Sequence, residues 1–144
     1  MANDPTDEDD AAWCVMQRQK VLDYLTLQDL VRPNVSERPA WHVAPIVSVW
    51  AVESVKRPGW VGWWAISGDC PTDYVPCGGE RNPRQALRDI GRRWLEGADH
   101  WTKGERSSDW GLHTAEQEQE LAPLLAARAK LLLDFAANDS NWGE

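Results

Sequence analysis

Two β-rich segments separated by a short turn constrain the fold of this chain most. Ile46 to Val55 is rich in β-branched residues, and Trp60 to Ser67 is a second apolar run. Between them, Pro58 and Gly59 suit the two central positions of a type II turn, because proline presets the first φ angle and glycine accepts the positive second one. The pattern predicts a β-hairpin.

The first of these segments also permits a helical interpretation. Four of its residues recur at helical spacing, namely Ile46, Val47, Trp50 and Ser54. A short helix followed by a single strand therefore remains an alternative for Ile46 to Val55. A further short strand is predicted near Asp73 to Pro76, and Pro76 would place it at a sheet edge because proline cannot donate a ladder hydrogen bond.

The N-terminal part is predicted as an acidic arm followed by a helix. Residues 1–8 are polar and acidic, which is typical of a disordered arm. The helix then runs from about Asp9 to Leu30, and Pro33 ends it because proline disfavours helix in the preceding residue. Its apolar stripe consists of Trp13, Met16, Val21, Tyr24 and Leu25.

The second helix is the best-marked element of the chain. Asn82 can cap it, Pro83 suits the first helical position, and Gln85 completes a capping-box pattern. Its apolar residues recur at spacings of three and four, which predicts one buried stripe. The stripe consists of Leu87, Ile90, Trp94, Ala98 and Trp101.

A third helix is predicted from near Thr114, and Pro123 should kink or restart it. The resulting order is α-β-β-(β)-α-α. This order predicts a single α+β domain over residues 9–138, in which a small antiparallel sheet of two to three strands packs against three helices. Residues 139–144 are predicted to form a flexible C-terminus.

Charge and cysteine content exclude several classes of protein. The net charge is −8, and the first ten residues contain five acids. Generic nucleic-acid binding is not expected of such a chain, whereas a basic protein partner is. The three cysteines lack a C-x-x-C pair and no histidines stand at ligand spacing, so neither disulfides, a metal site nor a cofactor is predicted.

The chain starts without an apolar leader and has no membrane-length apolar stretch, which predicts a cytoplasmic protein that does not bind membranes.

Tryptophan is the unusual component, with ten residues beside one phenylalanine and two tyrosines. So many large rings predict that some line a recognition surface. The segment from Trp60 to Tyr74 is the densest informative run, and Trp41 and His42 precede the first strand of the hairpin. The candidate binding residues in these two segments are Trp41, His42, Trp63, Trp64, Asp69, Thr72, Asp73 and Tyr74.

Strand alternation sends Trp63 and Trp64 to opposite faces of the sheet. One of them should meet a helix, and the other should meet solvent, another subunit or a ligand. The loop from Asp69 to Tyr74 should lie at a sheet end, where it forms one surface region with His42 and Trp63, bordered by the second helix. Turn chemistry is the competing interpretation of the two aspartates.

The second helix also carries Arg84, Arg88 and Arg92 at successive i, i+4 positions. Stacked like charges repel unless something negative faces them. The counter-charge could be internal, from the acidic arm or from the third helix, whose acids are Glu116, Glu118 and Glu120. The alternative is an anionic ligand or an acidic partner, which makes Arg84 and Arg88 candidate binding residues.

Several of these motifs together resemble a known family. They are the run from Trp41 to Trp64, Ser67-Gly68-Asp69, Pro71-Thr72-Asp73-Tyr74, and Asn82-Pro83-Arg84 at the start of the second helix. Over roughly residues 11–137, the chain resembles a family of small bacterial proteins classed only as a domain of unknown function. The resemblance implies a bacterial, single-domain, cytoplasmic protein without an assigned activity, and it assigns no functional residues.

The function predicted first is a non-enzymatic binding protein that recognises a protein partner through an acidic, tryptophan-bearing face, for example as an inhibitor or immunity protein of a basic toxin. An enzyme is the second hypothesis, with His42, Asp69, Asp73 and Tyr74 converging at the end of the sheet. A small-molecule sensor is the third, with a pocket walled by Trp63 and Trp64. The sequence does not set the oligomeric state, and a homodimer is compatible with it.

Overall fold

The computed structural model describes residues 5–28, 34–78, 81–103 and 115–142. In these ranges it contains three helices and a four-stranded antiparallel sheet in the order α-β-β-β-β-α-α, which confirms the α+β class. The elements are α1 (Pro5–Leu27), β1 (Trp41–Val43), β2 (Val47–Glu53), β3 (Val61–Gly68), β4 (Cys70–Pro76), α2 (Pro83–Thr102) and α3 (Ala115–Ala137). The chain divides into two compact units, one up to Ala86 and one from Leu87 onward.

The sheet has the strand order β1-β2-β3-β4, and all neighbouring strands are antiparallel. β2 and β3 form the predicted hairpin, and Gly59 in its turn has a φ of 87°, as the predicted turn type requires. The helical alternative for Ile46 to Val55 is therefore wrong. β4 is an edge strand, as Pro76 indicated. The prediction of two to three strands missed β1, which is only three residues long and lies between Pro39 and Pro45.

One face of the sheet packs against α1 and forms the core of the first unit. The fully buried members of this core are Val21, Leu25, Val35, Trp50, Val52 and Ala65. Arg18 joins α1 to the segment that precedes the sheet, because its guanidinium donates to the carbonyl oxygens of Val35 and Ser36 at 2.9 Å each. Val35 itself forms a bridge with Val52 of β2.

The boundaries and the buried face of α1 differ from the prediction. The helix begins at Pro5, so residues 5–8 of the predicted disordered arm are helical, and residues 1–4 lie outside the described part of the chain. Met16, which was assigned to the buried stripe, is 59% exposed, whereas Gln17 is only 2% exposed. The polar Gln17 thus occupies the core-facing position between Cys14 and Val21.

The N-terminus of α2 has the predicted capping box. The Asn82 side-chain oxygen accepts from the backbone N–H of Gln85 at 2.8 Å, and the Gln85 side-chain oxygen accepts from the backbone N–H of Asn82 at 2.9 Å. These contacts satisfy two backbone donors that the first turn of a helix leaves free. All five residues of the predicted stripe of α2 are buried.

α3 is one continuous helix that includes Pro123, so the predicted restart does not occur. The predicted start at Thr114 lies outside the described residues. Beyond α3, Asp139–Trp142 forms a 3-10 turn where a flexible C-terminus was predicted. The Asn141 amide and the Trp142 indole N–H both donate to the Phe135 carbonyl oxygen, at 3.1 Å and 3.0 Å, which fixes this turn against α3.

None of the helices in the described ranges combines the length and the apolar character that crossing a lipid bilayer requires.

Candidate functional site

The structure distributes the candidate residues across the sheet. His42 lies on the edge strand β1, and Tyr74 lies on the opposite edge strand β4. Two strands separate them, which corresponds to roughly 14 Å because neighbouring strands are about 4.8 Å apart. Asp69 is exposed in the turn between β3 and β4. Asp69 instead lies beside the turn between β1 and β2, because its backbone N–H donates to the Ile46 carbonyl oxygen at 2.9 Å. The expected surface region of His42 with the Asp69 to Tyr74 segment therefore does not include Tyr74.

Asp73 and Tyr74 are consecutive on β4 and project to opposite faces. Tyr74 packs against the α1 core, with its ring 6.0 Å from the Tyr24 ring in an edge-to-face arrangement. Asp73 is 4% exposed, and its carboxylate accepts from the backbone N–H of Tyr74 at 2.8 Å. Both side chains thus have structural contacts, and Thr72 beside them is half-buried.

Trp63 and Trp64 do project to opposite faces, as predicted, but neither is an exposed ring. Trp63 is partly buried against the α1 core. Trp64 is 8% exposed, and its indole N–H donates to the Arg81 carbonyl oxygen at 2.6 Å. Trp41 on β1 is half-buried and pairs with Val49. Because Trp63 and Trp64 occupy different faces, they cannot wall one pocket.

A groove of about 510 Å³ does exist in the second unit, between α2 and α3. Its described lining contains no aromatic side chain, and four of its residues are charged, namely Arg92, Glu96, Asp99 and Lys130. The tryptophan-lined pocket of the sensor hypothesis is therefore not this groove.

One of the α2 arginines pairs with an acidic residue next to it in the sequence. Arg88 is exposed and lies 3.6 Å from the carboxylate of its neighbour Asp89, and Arg84 is half-buried. An exposed pair of this kind contributes little to stability. The side chains of Glu116 and Glu118, which were two of the expected counter-charges, lie outside the described residues, and Glu120 is exposed. The expected acidic surface opposite the arginines stays a prediction.

Among the described residues, the tryptophan with the most exposed side chain is Trp60, in the turn between β2 and β3. Its relative exposure is 60%, and that of Val55 is 71%. The guanidinium carbon of Arg57 lies 4.3 Å from the centre of the Trp60 ring, which is a cation–π contact. We refer to residues 55–60 as the hairpin tip. It presents two apolar side chains beside the cations of Lys56 and Arg57.

Backbone hydrogen bonds close the turn at the hairpin tip. Ser54 N–H donates to the Trp60 carbonyl oxygen at 2.7 Å, and Trp60 N–H donates to the Arg57 carbonyl oxygen at 3.1 Å. The Glu53 carboxylate accepts from Gly59 N–H at 3.3 Å. The exposed ring of Trp60 is thus carried by an ordered turn. The sequence analysis did not select Trp60, because it placed the candidate site at the opposite end of the hairpin. A tryptophan directly after a Pro-Gly turn is nevertheless a signal that could have identified this residue.

His42 has a different environment from the one expected. Its Nε2 atom lies 2.8 Å from an Asp10 carboxylate oxygen of α1, and its ring stacks on Trp13 with centres 6.3 Å apart. Cys14 lies one helical turn after Asp10. Burial, and secondarily the negative charge of Asp10, raises the pKa of the Cys14 thiol, which disfavours the thiolate. Sequence reasoning missed Asp10 and Cys14, although their i, i+4 spacing on a helix was visible.

A family model described as Domain of unknown function (DUF4826) matches residues 7–142. No curated protein and no solved structure gives a match. The match includes the whole segment over which the family resemblance was expected, roughly residues 11–137, and it extends across both compact units. The chain belongs to the DUF4826 family.

Proposed function

We propose that this protein is a non-enzymatic binding protein that recognises another protein through the hairpin tip. The observation that carries this proposal is the 60% exposure of Trp60 on an ordered turn. Tryptophan and arginine are the residues that most often dominate the binding energy of protein interfaces. Backbone hydrogen bonds close the turn that carries Trp60, so little backbone freedom is lost when a partner covers it.

The composition of the hairpin tip narrows the chemistry of the partner. Trp60 and Val55 offer apolar area, and Lys56 and Arg57 offer positive charge next to it. The complementary surface is an apolar pocket bordered by carboxylates. This surface differs from the acidic face that the sequence suggested, because the densest run of acids, Asp7 to Asp10, lies in the first turns of α1. An inhibitor or immunity role towards a basic toxin would use that acidic region instead, and it stays a prediction.

A bacterial cytoplasm is the setting that we propose for this interaction. All three cysteines, Cys14, Cys70 and Cys77, are free. Free thiols are typical of proteins from reducing compartments. The resemblance to small bacterial proteins supports the same setting.

The change Trp60→Ala should weaken partner binding about 30-fold or more, as expected for a hot-spot tryptophan. The free energy of unfolding should change by less than about 0.5 kcal/mol, because the removed ring is mostly exposed. The partner is first identified by quantitative mass spectrometry of proteins retained by the wild-type chain and lost from the variant. Its purified form is then titrated calorimetrically against both chains.

Leu124→Ala is the matched control, because Leu124 is a large apolar side chain of α3 with 53% exposure. It should bind the purified partner with wild-type affinity. Equal affinity of the wild-type and Trp60→Ala chains for that partner would contradict the proposal. If Leu124→Ala weakened partner binding as much as Trp60→Ala does, the partner would be binding to exposed apolar side chains in general. Recognition by the hairpin tip would then be contradicted.

A further inference from the structure

Three side chains with metal-binding groups from α1 and the edge strand β1 meet in one cluster. Asp10 and Cys14 lie one turn apart on the same face of α1, and His42 reaches them from β1. One carboxylate oxygen of Asp10, the Cys14 Sγ atom and one ring nitrogen of His42 all lie within 4.8 Å of one another. The closest pair is Asp10 and His42, at 2.8 Å.

These separations are close to those of ligands around one zinc ion. Zinc is bound tetrahedrally with bonds of about 2.0 to 2.3 Å, so neighbouring ligand atoms are about 3.3 to 3.8 Å apart. The pair of Asp10 and His42 would have to open by roughly half an ångström, and the Cys14 sulfur would have to approach by at most about 1.5 Å. Side-chain rotations of this size require no rearrangement of α1 or β1.

The combination of donors selects the type of metal. A thiolate, an imidazole nitrogen and a carboxylate oxygen form a mixed set that suits Zn²⁺, whereas Mg²⁺ and Ca²⁺ prefer oxygen ligands alone. A divalent cation at their centre would also offset the negative charges of the carboxylate and the thiolate. The Trp13 ring stacks on the His42 ring with centres 6.3 Å apart, so it covers one face of the imidazole.

We propose that Asp10, Cys14 and His42 form a zinc site with three protein ligands and a fourth position that is open to water. The side chains of His42 and Asp10 are 30% and 38% exposed, so water reaches the cluster. Three protein ligands with an open position distinguish this arrangement from closed structural zinc sites. The proposal is independent of the hairpin tip. It differs from the expectation of no metal because only Asp10 and Cys14 are close in the sequence, whereas His42 comes from a separate segment.

The chain, treated with a chelator and then dialysed, is titrated with zinc sulfate by competition calorimetry. We expect one zinc ion per chain. Cys14→Ser and His42→Ala should each weaken zinc binding about 50-fold or more, since even residues that only support a ligand change affinity 10- to 100-fold. Cobalt(II) added to the wild-type chain should give a thiolate-to-cobalt charge-transfer absorption, and Cys14→Ser should lack it.

Cys70→Ser and His100→Ala are the matched controls. Cys70 is half-buried on β4, and His100 lies 3.9 Å from the Glu96 carboxylate in an exposed pair. Both variants should bind zinc as the wild-type chain does. Absence of zinc binding to the wild-type chain, or equal weakening by a control variant, would overturn the proposal.

A measurement on the wild-type chain keeps the test decisive if the ligand variants fold poorly. Zinc should slow the alkylation of Cys14 by iodoacetamide at least tenfold, as determined by peptide mapping, because a coordinated thiolate is shielded from the reagent. The alkylation rate of Cys70 in the same sample should not change. An unchanged rate at Cys14, or equal slowing at Cys70, would count against the site.

Discussion

Gly68→Ala is expected to lower the free energy of unfolding by about 3 kcal/mol or more. Gly68 ends β3 with a φ of 153°. A Cβ atom there would lie 2.8 Å from the Val47 Cα atom and 2.9 Å from the Ile46 carbonyl carbon. Backbone atoms cannot rotate away as a flexible side chain can, so the β2–β3 ladder would have to shift. Urea unfolding followed by far-ultraviolet circular dichroism measures the loss.

Gly59→Ala separates backbone conformation from steric overlap. Gly59 also has a positive φ, of 87°, but a Cβ atom there would meet no heavy atom within 4 Å. Its replacement should therefore cost only the conformational penalty, about 1 kcal/mol. Equal losses for the two variants would show that the close approach of Gly68 to β2 does not matter.

The elements that the sequence predicted well are those specified by neighbouring residues. The hairpin turn depends on Pro58 and Gly59, and the start of α2 depends on Asn82 and Gln85, which bond to each other in the structure. Both signals act within a few residues, so no knowledge of the tertiary fold is needed to recognise them. The α+β class and the order of all elements except β1 were predicted from local signals of this kind.

The features that the sequence did not predict depend on tertiary contacts. β1 has three residues, too few for a recognisable alternation, and its existence depends on pairing with β2. Gln17 resembles a surface residue by composition, yet it is buried, and its backbone carbonyl oxygen accepts from the Ser67 hydroxyl at 3.4 Å. Its neighbour Met16 faces outward as a consequence.

The candidate site residues likewise depend on tertiary contacts that the sequence does not reveal. Strand alternation correctly predicted that Trp63 and Trp64 project to opposite faces, but it could not say whether either face is covered. Both rings are at least partly buried, and the exposed ring is that of Trp60. Likewise, the partner of His42 is Asp10, which the sequence placed in the first turn of the predicted helix without a contact to the sheet. A contact across 32 positions has no local pattern.

Trp50→Ala should have the largest effect on stability, a loss of about 4 kcal/mol, which is typical of deleting a large buried ring. Trp50 is fully buried in the core formed by α1 and the sheet. Trp60→Ala is the matched control, because it removes the same side chain from an exposed position. Comparable losses in urea unfolding for the two variants would contradict the assignment of Trp50 to the core.

Part of the contribution of Trp50 comes from a buried chain of hydrogen bonds. Its indole N–H donates to the Ser48 hydroxyl at 2.8 Å, and that hydroxyl donates to the Ser67 carbonyl oxygen at 2.9 Å. Ser48→Ala should therefore cost about 2 kcal/mol in the wild-type chain, because it leaves the indole N–H buried without an acceptor. In a Trp50→Phe background the same change should cost about 1 kcal/mol less, since no N–H remains to be satisfied. Equal costs in the two backgrounds would show that Trp50 stabilises the sheet through its apolar ring alone.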